Sequence, residues 1–331
     1  MDTPANSSLT RIKIRGFKSI KTCDLELKNL NVLIGSNGAG KSNFLSAFSL
    51  LQNAMNQSLA VYAAQVGPST LFYRGTKITE SLEVEVFTES GSLAAELIPT
   101  QNNSVFNTKN DYTQTVDWPI YHFDDTSTTS RLKSEHNVSN CKRLLPDGRN
   151  LAAFLYRLKQ FFPLDYRHIA DTVRLVAPYF DDFELTPSEA NPELIVLRWR
   201  QKGAEDIMNA SQLSDGTLRF MCLAALLLQP PELLPETLII DEPELGLHPY
   251  AINIFAEMCL QIGEEKQVVL STQSVELLNE FSVEDIVVVD SGPEGTVFKR
   301  LDAEELRVWL ENDYSLGELW NKNILGGRLS K

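Results

Sequence analysis

Gly35, Ser36, Asn37, Gly38, Ala39, Gly40, Lys41 and Ser42 follow the spacing G-x-x-x-x-G-K-[ST]. That combination of glycines, an amine and a hydroxyl is the chemistry of a phosphate cradle. Gly35, Gly38 and Gly40 are expected to adopt positive φ and turn backbone N–H groups toward phosphate oxygens. Lys41 can reach the β- and γ-phosphates, Ser42 can coordinate Mg²⁺, and a helix starting there presents its positive dipole end. The elements that must hold this loop are legible on both sides of it. Residues 31–34 form an apolar run that reads as a strand, and Phe44, Leu45, Phe48, Leu51 and Met55 recur at helical spacing. The pattern implies that the chain binds a nucleotide, ATP with Mg²⁺.

A second set of reactive groups lies two hundred residues later. Residues 237–242 read as a buried strand ending in two carboxylates. Asp241 is placed to hold Mg²⁺ against the phosphate-loop hydroxyl, and Glu242 to polarise an attacking water as general base. Upstream, Leu213, Ser214, Asp215, Gly216 and Thr217 open an apolar helix. A serine, a small residue and a helix N-terminus make an anion site, and the same Ser214 serves as an ordinary N-cap.

Bulk properties narrow the classes. The 331 residues are 43% hydrophobic and 22% charged, which suits one large or two closely joined domains. No opening segment has the pattern of a secretory signal. The longest apolar run, residues 220–228, is too short to span a bilayer and stops at Pro230 and Pro231. A cytoplasmic protein with no membrane partner is expected. Cys23, Cys141, Cys222 and Cys259 are isolated, without paired spacing for zinc or redox chemistry. Cys222 and Cys259 lie in apolar helical patterns and read as core thiols. His122, His136 and His168 share no metal-ligand spacing. The net charge of −14 argues against a surface built throughout for polyanions. Residues 131–167 are nevertheless locally basic. They form either a basic face or an ordinary solvated surface, so nucleic-acid contact stays open.

Short strands are expected at 12–14, 25–27 and 31–34, a hairpin at 82–87 and 93–98, and a strand at 118–123 within a polar stretch. Helices at 151–162 and 166–177 follow, then strands at 183–185 and 194–199. From residue 213 helix and strand alternate as in a doubly wound sheet, with helices at 215–228, 248–262 and 274–281 and strands at 236–240, 267–271 and 285–289. A hairpin partner at 296–300 and a helix at 303–311 close the order. Leu306, Trp309 and Leu310 are expected on the buried side of that helix. Leu316, Leu319 and Trp320 make a short apolar tail.

Leu213-Ser-Asp-Gly-Thr217 resembles the signature motif of ATP-binding-cassette ATPases, normally Leu-Ser-Gly-Gly-Gln, and it stands in that superfamily's order between phosphate loop and acid pair. Arg11-Ile-Lys-Ile-Arg-Gly-Phe-Lys-Ser-Ile20 and Asp241-Glu-Pro-Glu-Leu-Gly-Leu-His-Pro249 resemble the corresponding segments of RecF, SMC-type and OLD-type ATPases. The resemblance implies an α/β P-loop NTPase of ABC type: a mostly parallel core sheet flanked by helices, an antiparallel β subdomain and a helical lobe. Its ATPase domain would cover residues 1–290, with an inserted lobe at 119–212. Residues 291–331 would be a hairpin strand and helical tail, open to partner docking. No coiled-coil arm and no TOPRIM domain are expected.

The resemblance further implies that Ser214 and Gly216 hold the γ-phosphate of ATP bound to an opposite subunit, that Arg15 and Lys18 lie near the nucleotide, and that residues 244–249 face the partner. It implies a homodimer joined through ATP, with larger assemblies allowed, and a separate effector in DNA maintenance or phage defence. Two positions depart from the pattern. Gln273 stands where a switch histidine is usual; it can donate to a γ-phosphate but cannot carry a proton at neutral pH. The lobe glutamine has no clear counterpart, Gln65, Gln101 and the patch at Asp124, Asp125 and Thr126 being the candidates. A slow-turnover nucleotide-sensing scaffold is the alternative from another class. A transporter motor subunit fits the 11–20 opening poorly.

Overall fold

The computed structural model describes residues 8–100, 104–107, 116–127 and 129–327. The chain forms two compact units, the first from residues 1–120, 235–241 and 263–331, the second from 121–234 and 242–262. The second unit begins at residue 121 and takes in residues 215–227 and 249–262.

The first unit contains two sheets. Strands Leu30–Ile34, Thr237–Asp241, Gln267–Thr272 and Ile286–Gly292 are nearly continuous apolar runs, the composition of a parallel sheet covered on both faces. They lie in the order Gly295–Arg300, Ile286–Gly292, Leu30–Ile34, Gln267–Thr272, Thr237–Asp241, with the two-residue strand Ile120–Tyr121 at the edge where the chain passes between units. Only the first pairing is antiparallel among those five. The register sets Thr272 beside Ile34 and Asp241 beside Ser271. Three neighbouring strands therefore end together, and the carboxyl edge of such a sheet is where ligands bind in open α/β folds.

The other sheet is antiparallel, in the order Ile20–Glu26, Leu9–Phe17, Leu82–Thr88, Gly91–Pro99, Val105–Asn107. Alternating burial along Leu82–Thr88 gives it one core face. The helix Lys41–Met55 belongs to the same core as Val84 and Ala95 of this sheet and Ile239, Val269 and Val287 of the parallel one. Phe48 meets Trp118 edge-on at 6.0 Å, and Phe44 lies 5.1 Å from Phe298. That packing fixes the start of the helix, and with it the phosphate loop.

The second unit is helical with small antiparallel sheets. Helices Leu151–Phe161, Pro163–Val176, Asp215–Leu227 and Pro249–Gly263 accompany a three-stranded sheet in the order Ile207–Asn209, Arg198–Gln201, Phe180–Glu184. Phe180, Phe183 and Trp199 form its aromatic centre, with Phe180 and Phe183 at 4.7 Å. Helix Asp215–Leu227 is buried from Thr217 to Leu227, so it is a core element and not an amphipathic surface helix. Cys222 and Cys259 are fully buried, and burial pushes both thiols up.

Several expectations need correction. The strand expected at 118–123 is confined to Ile120–Tyr121, because the Trp118 N–H is taken by Gln52 Oε1 at 2.8 Å. The strand expected at 194–199 is two pieces, Leu194–Ile195 and Arg198–Gln201. Helix Leu59–Val66 was not anticipated; only Ala63 in it is buried, so it carries no amphipathic signal. In helix Ala303–Leu310, Leu306 is buried, but Trp309 is 37% exposed and packs edge-on against Tyr314 at 5.4 Å. The apolar tail is a helix, Leu316–Asn321, with a capping box between Ser315 and Glu318. It sits against helix Val275–Leu278, where Gly317 N donates to Asn279 Oδ1 at 2.7 Å.

Candidate functional site

The phosphate loop runs from the end of Leu30–Ile34 to the start of Lys41–Met55. Gly38 and Gly40 have φ of +81° and +114°. Gly35 does not take positive φ, contrary to expectation; it is glycine because a Cβ there would overlap the Val289 carbonyl oxygen of the neighbouring strand. Lys41 is 4% exposed and its ammonium donates to Gly35 O at 2.8 Å and Ser36 O at 3.3 Å. Gly40 is the helix N-cap and no side chain caps the helix, so its first N–H groups point out of the helix end as an anion requires. Ser42 is exposed at that end.

Two residues outside the motif brace the loop. Thr296 Oγ1 donates to Ala39 O at 3.0 Å and pairs with Ser19 Oγ at 2.7 Å, while Asn43 Nδ2 donates to Ser19 Oγ at 2.8 Å. A side chain on Gly40 would collide with both. From the other side, Ser36 N donates to Gly327 O at 3.2 Å. Sequence reasoning missed Ser19, Thr296 and Gly327. Ser19 at least adjoins Lys18 in the opening motif; Thr296 and Gly327 left no local signal.

Asp241 closes its strand beside Ser271, whose hydroxyl donates to Asp241 Oδ1. A carboxylate oriented by a serine, with the Ser42 hydroxyl, is a hard oxygen donor set that suits Mg²⁺ and not a soft metal. Among the described residues no group of three His, Cys, Asp or Glu could hold a metal. Gln273 follows the adjacent strand, and Ser274 after it caps helix Val275–Leu278. Glu242 has φ of +47°, a left-handed conformation that costs a non-glycine residue on the order of 1 kcal/mol or more.

Lys18 occupies the turn before Ile20–Glu26 with φ of +49°, and its ammonium donates to Ser46 Oγ of the loop helix at 2.8 Å. Burial pulls that ammonium below the ordinary lysine range. Arg15 is exposed in its strand, opposite Thr22 and Glu83. Gln65 is exposed on the unanticipated helix, and Gln101 lies outside the described residues.

In the second unit Ser214 caps helix Asp215–Leu227 by accepting from Thr217 N at 3.1 Å. Gly216 allows the loop after the acid pair to approach: a Cβ there would overlap the Gly246 carbonyl oxygen. Arg219, 7% exposed, completes the junction. Its guanidinium donates to Phe123 O at 2.7 Å, to Asp124 O at 3.1 Å and to Leu245 O. It therefore fastens the loop after the acid pair and the 123–124 segment to the same helix.

The AAA family described as "AAA domain, putative AbiEii toxin, Type IV TA system" matches residues 30–279. The chain belongs to this family. It is a domain of the AAA/ABC ATPase family, similar in sequence to RecF and in fold to SMC heads. It is 26% identical over 197 residues to the DNA replication and repair protein RecF of Vibrio campbellii, covering 50% of this chain and 52% of that protein. It is 36% identical over 97 residues to the energy-coupling factor transporter ATP-binding protein EcfA2 of Bacillus cereus, 29% of this chain and 30% of that one. The match thus spans about half or less of the length of these curated relatives. Among solved structures, an Smc head bound to the C-terminal winged-helix domain of ScpA superposes with a TM-score of 0.64 at 15% identity, covering 91% of this chain and 99% of that one. An Smc head with an extended coiled coil from Pyrococcus furiosus, bound to the C-terminal domain of ScpA, gives 0.63 at 13% identity, covering 92% and 99%. These likenesses establish the fold.

For this ATPase domain the Arg219 junction predicts a stability effect. Arg219→Met leaves three carbonyl groups without their charged donor, and the expected loss is about 2 kcal/mol. Urea unfolding followed by circular dichroism measures it; an unchanged midpoint would remove Arg219 from the junction.

Proposed function

We propose that the chain is an ATP-dependent dimerising switch. Two copies clamp two ATP molecules, each between the phosphate loop of one copy and Ser214 and Gly216 of the other, and hydrolysis opens the clamp. The observation that carries this reading is the shared strand register, which brings the phosphate loop, Asp241 and Gln273 to one sheet edge. The sealed Gly216–Gly246 contact supports it by joining the signature to the partner-facing loop.

In this reading the loop amides and Lys41 bind the phosphates, with Arg15 and Lys18 toward the nucleotide. Ser42 and Asp241 hold Mg²⁺, which supplies charge neutralisation when bound. Glu242 takes the proton from the attacking water, and Gln273 donates to the γ-phosphate. The ATP state then acts on a separate effector, such as a nuclease, in DNA maintenance or phage defence. The kinship with RecF, by name a replication and repair protein, favours the DNA side. In the locally basic stretch, Arg149 and Lys159 are paired with Asp147 and Asp182, which suits a solvated face more than a nucleic-acid groove.

The test is Ser214→Arg. Monomeric chain should bind ATP normally, while ATP-dependent pairing, followed by light scattering, should be lost. Intact pairing rejects the trans role of the signature. Gln273 favours a second reading, a slow-turnover scaffold that binds ATP for assembly. Steady-state phosphate release separates the two: a scaffold stays nearly silent even with its partner and DNA present.

A further inference from the structure

The signature carries a carboxylate at Asp215, the first residue of its helix and the neighbour of Ser214. An acid there favours the helix dipole but opposes the approach of a phosphate. Its side chain is 67% exposed, so it stays on the surface that an incoming triphosphate would meet.

Lys133 lies beside it, Nζ 3.8 Å from Asp215 Oδ1, and its own side chain is only 10% exposed. A lysine so deeply covered is unfavourable unless its charge has a use, since a methionine would fill the same space without desolvation. The turn that carries Lys133 is built to hold it. Ser130 caps the turn by accepting from Leu132 N at 3.2 Å and donates to Asp125 O at 2.6 Å. Leu132 is 3% exposed and anchors the turn in the core. The ammonium donates to Thr126 O, leaving the approach to Asp215 through charge and not through a short hydrogen bond.

We propose that Lys133 is a positioning residue of the trans phosphate site: a fixed counter-ion that offsets Asp215, so that the signature accepts the γ-phosphate of the opposite copy. The inference rests on the dimerising reading above. It locates part of the trans site in a turn eighty residues upstream of the signature, where no motif lies.

The experiment measures the dimer dissociation constant by sedimentation with Mg²⁺ and a non-hydrolysable ATP analogue, for four proteins: the unaltered chain, Lys133→Met, Asp215→Gly and the double variant. Lys133→Met should weaken pairing by about tenfold or more while analogue binding to the monomer is unchanged. Asp215→Gly should tighten pairing several-fold, because the cation then faces phosphate alone. The double variant should return to within about threefold of the unaltered chain. A merely structural role for Lys133 predicts no rescue by Asp215→Gly, and absence of rescue overturns the proposal, as does unaltered pairing in Lys133→Met. If Lys133→Met fails to fold, Asp215→Gly alone decides, and pairing equal to or weaker than the unaltered chain overturns it. Should Ser214→Arg block pairing while these variants behave as the unaltered chain, only the role of Lys133 falls. If Ser214→Arg pairs normally, the dimerising reading itself is wrong.

Discussion

Lys41→Ala lowers affinity for ATP with Mg²⁺ by about 100-fold or more. Lys41 is 4% exposed at the first position of the loop helix and its ammonium is already held by loop carbonyls, so its charge is desolvated and aimed. Removing one partner of a buried charge pair typically costs about 3 kcal/mol, and each 1.4 kcal/mol is about tenfold in affinity. The fold should survive, because the covering core comes from Phe44, Phe48 and their neighbours and not from the lysine stem. Titration calorimetry with the unaltered chain and the variant, alongside their melting curves, checks this. Equal affinity in a folded variant would remove the phosphate loop from the nucleotide site.

Glu242→Gln abolishes turnover and keeps the clamp. The substitution removes the proton acceptor while preserving size, and glutamine meets the same φ of +47° at a similar cost, so the backbone leaving the acid strand need not move. Loss of a general base typically slows chemistry by about 100-fold or more. Phosphate release should fall accordingly, while light scattering with ATP should report twice the monomer mass for longer than in the unaltered chain. A variant that stays monomeric with ATP, or that hydrolyses at the original rate, contradicts the assignment of Glu242.

The elements that carry the expected nucleotide motifs were legible because each is written locally. Strand, glycine loop and helix around Lys41 follow from a dozen consecutive residues, and the strand ending at Asp241 from five. The parallel sheet followed from uninterrupted apolar runs. What stayed hidden depends on distant pairs. Thr296 braces the loop only because its hairpin returns beside Ser19, more than 250 residues away in sequence. Ser271 orients Asp241 through strand register, which no single segment encodes. The helix at residue 316 was marked by Ser315 and Glu318, a capping box that a short apolar tail obscured. Glycines were over-read in one respect: Gly35 is needed for closeness to a neighbouring strand and not for an unusual φ.

The bond from Ser36 to the Gly327 carbonyl bears on how the protein should be handled. Gly327 N also donates to Asp290 Oδ2 at 3.3 Å, and a Cβ on Gly327 would clash with Trp320 and Val288. Its backbone is therefore wedged within one hydrogen bond of the glycine-rich loop. A residue inserted beside Gly327, or a side chain placed on it, would tug on that loop, and nucleotide affinities measured on such a variant would differ from those of the unaltered chain.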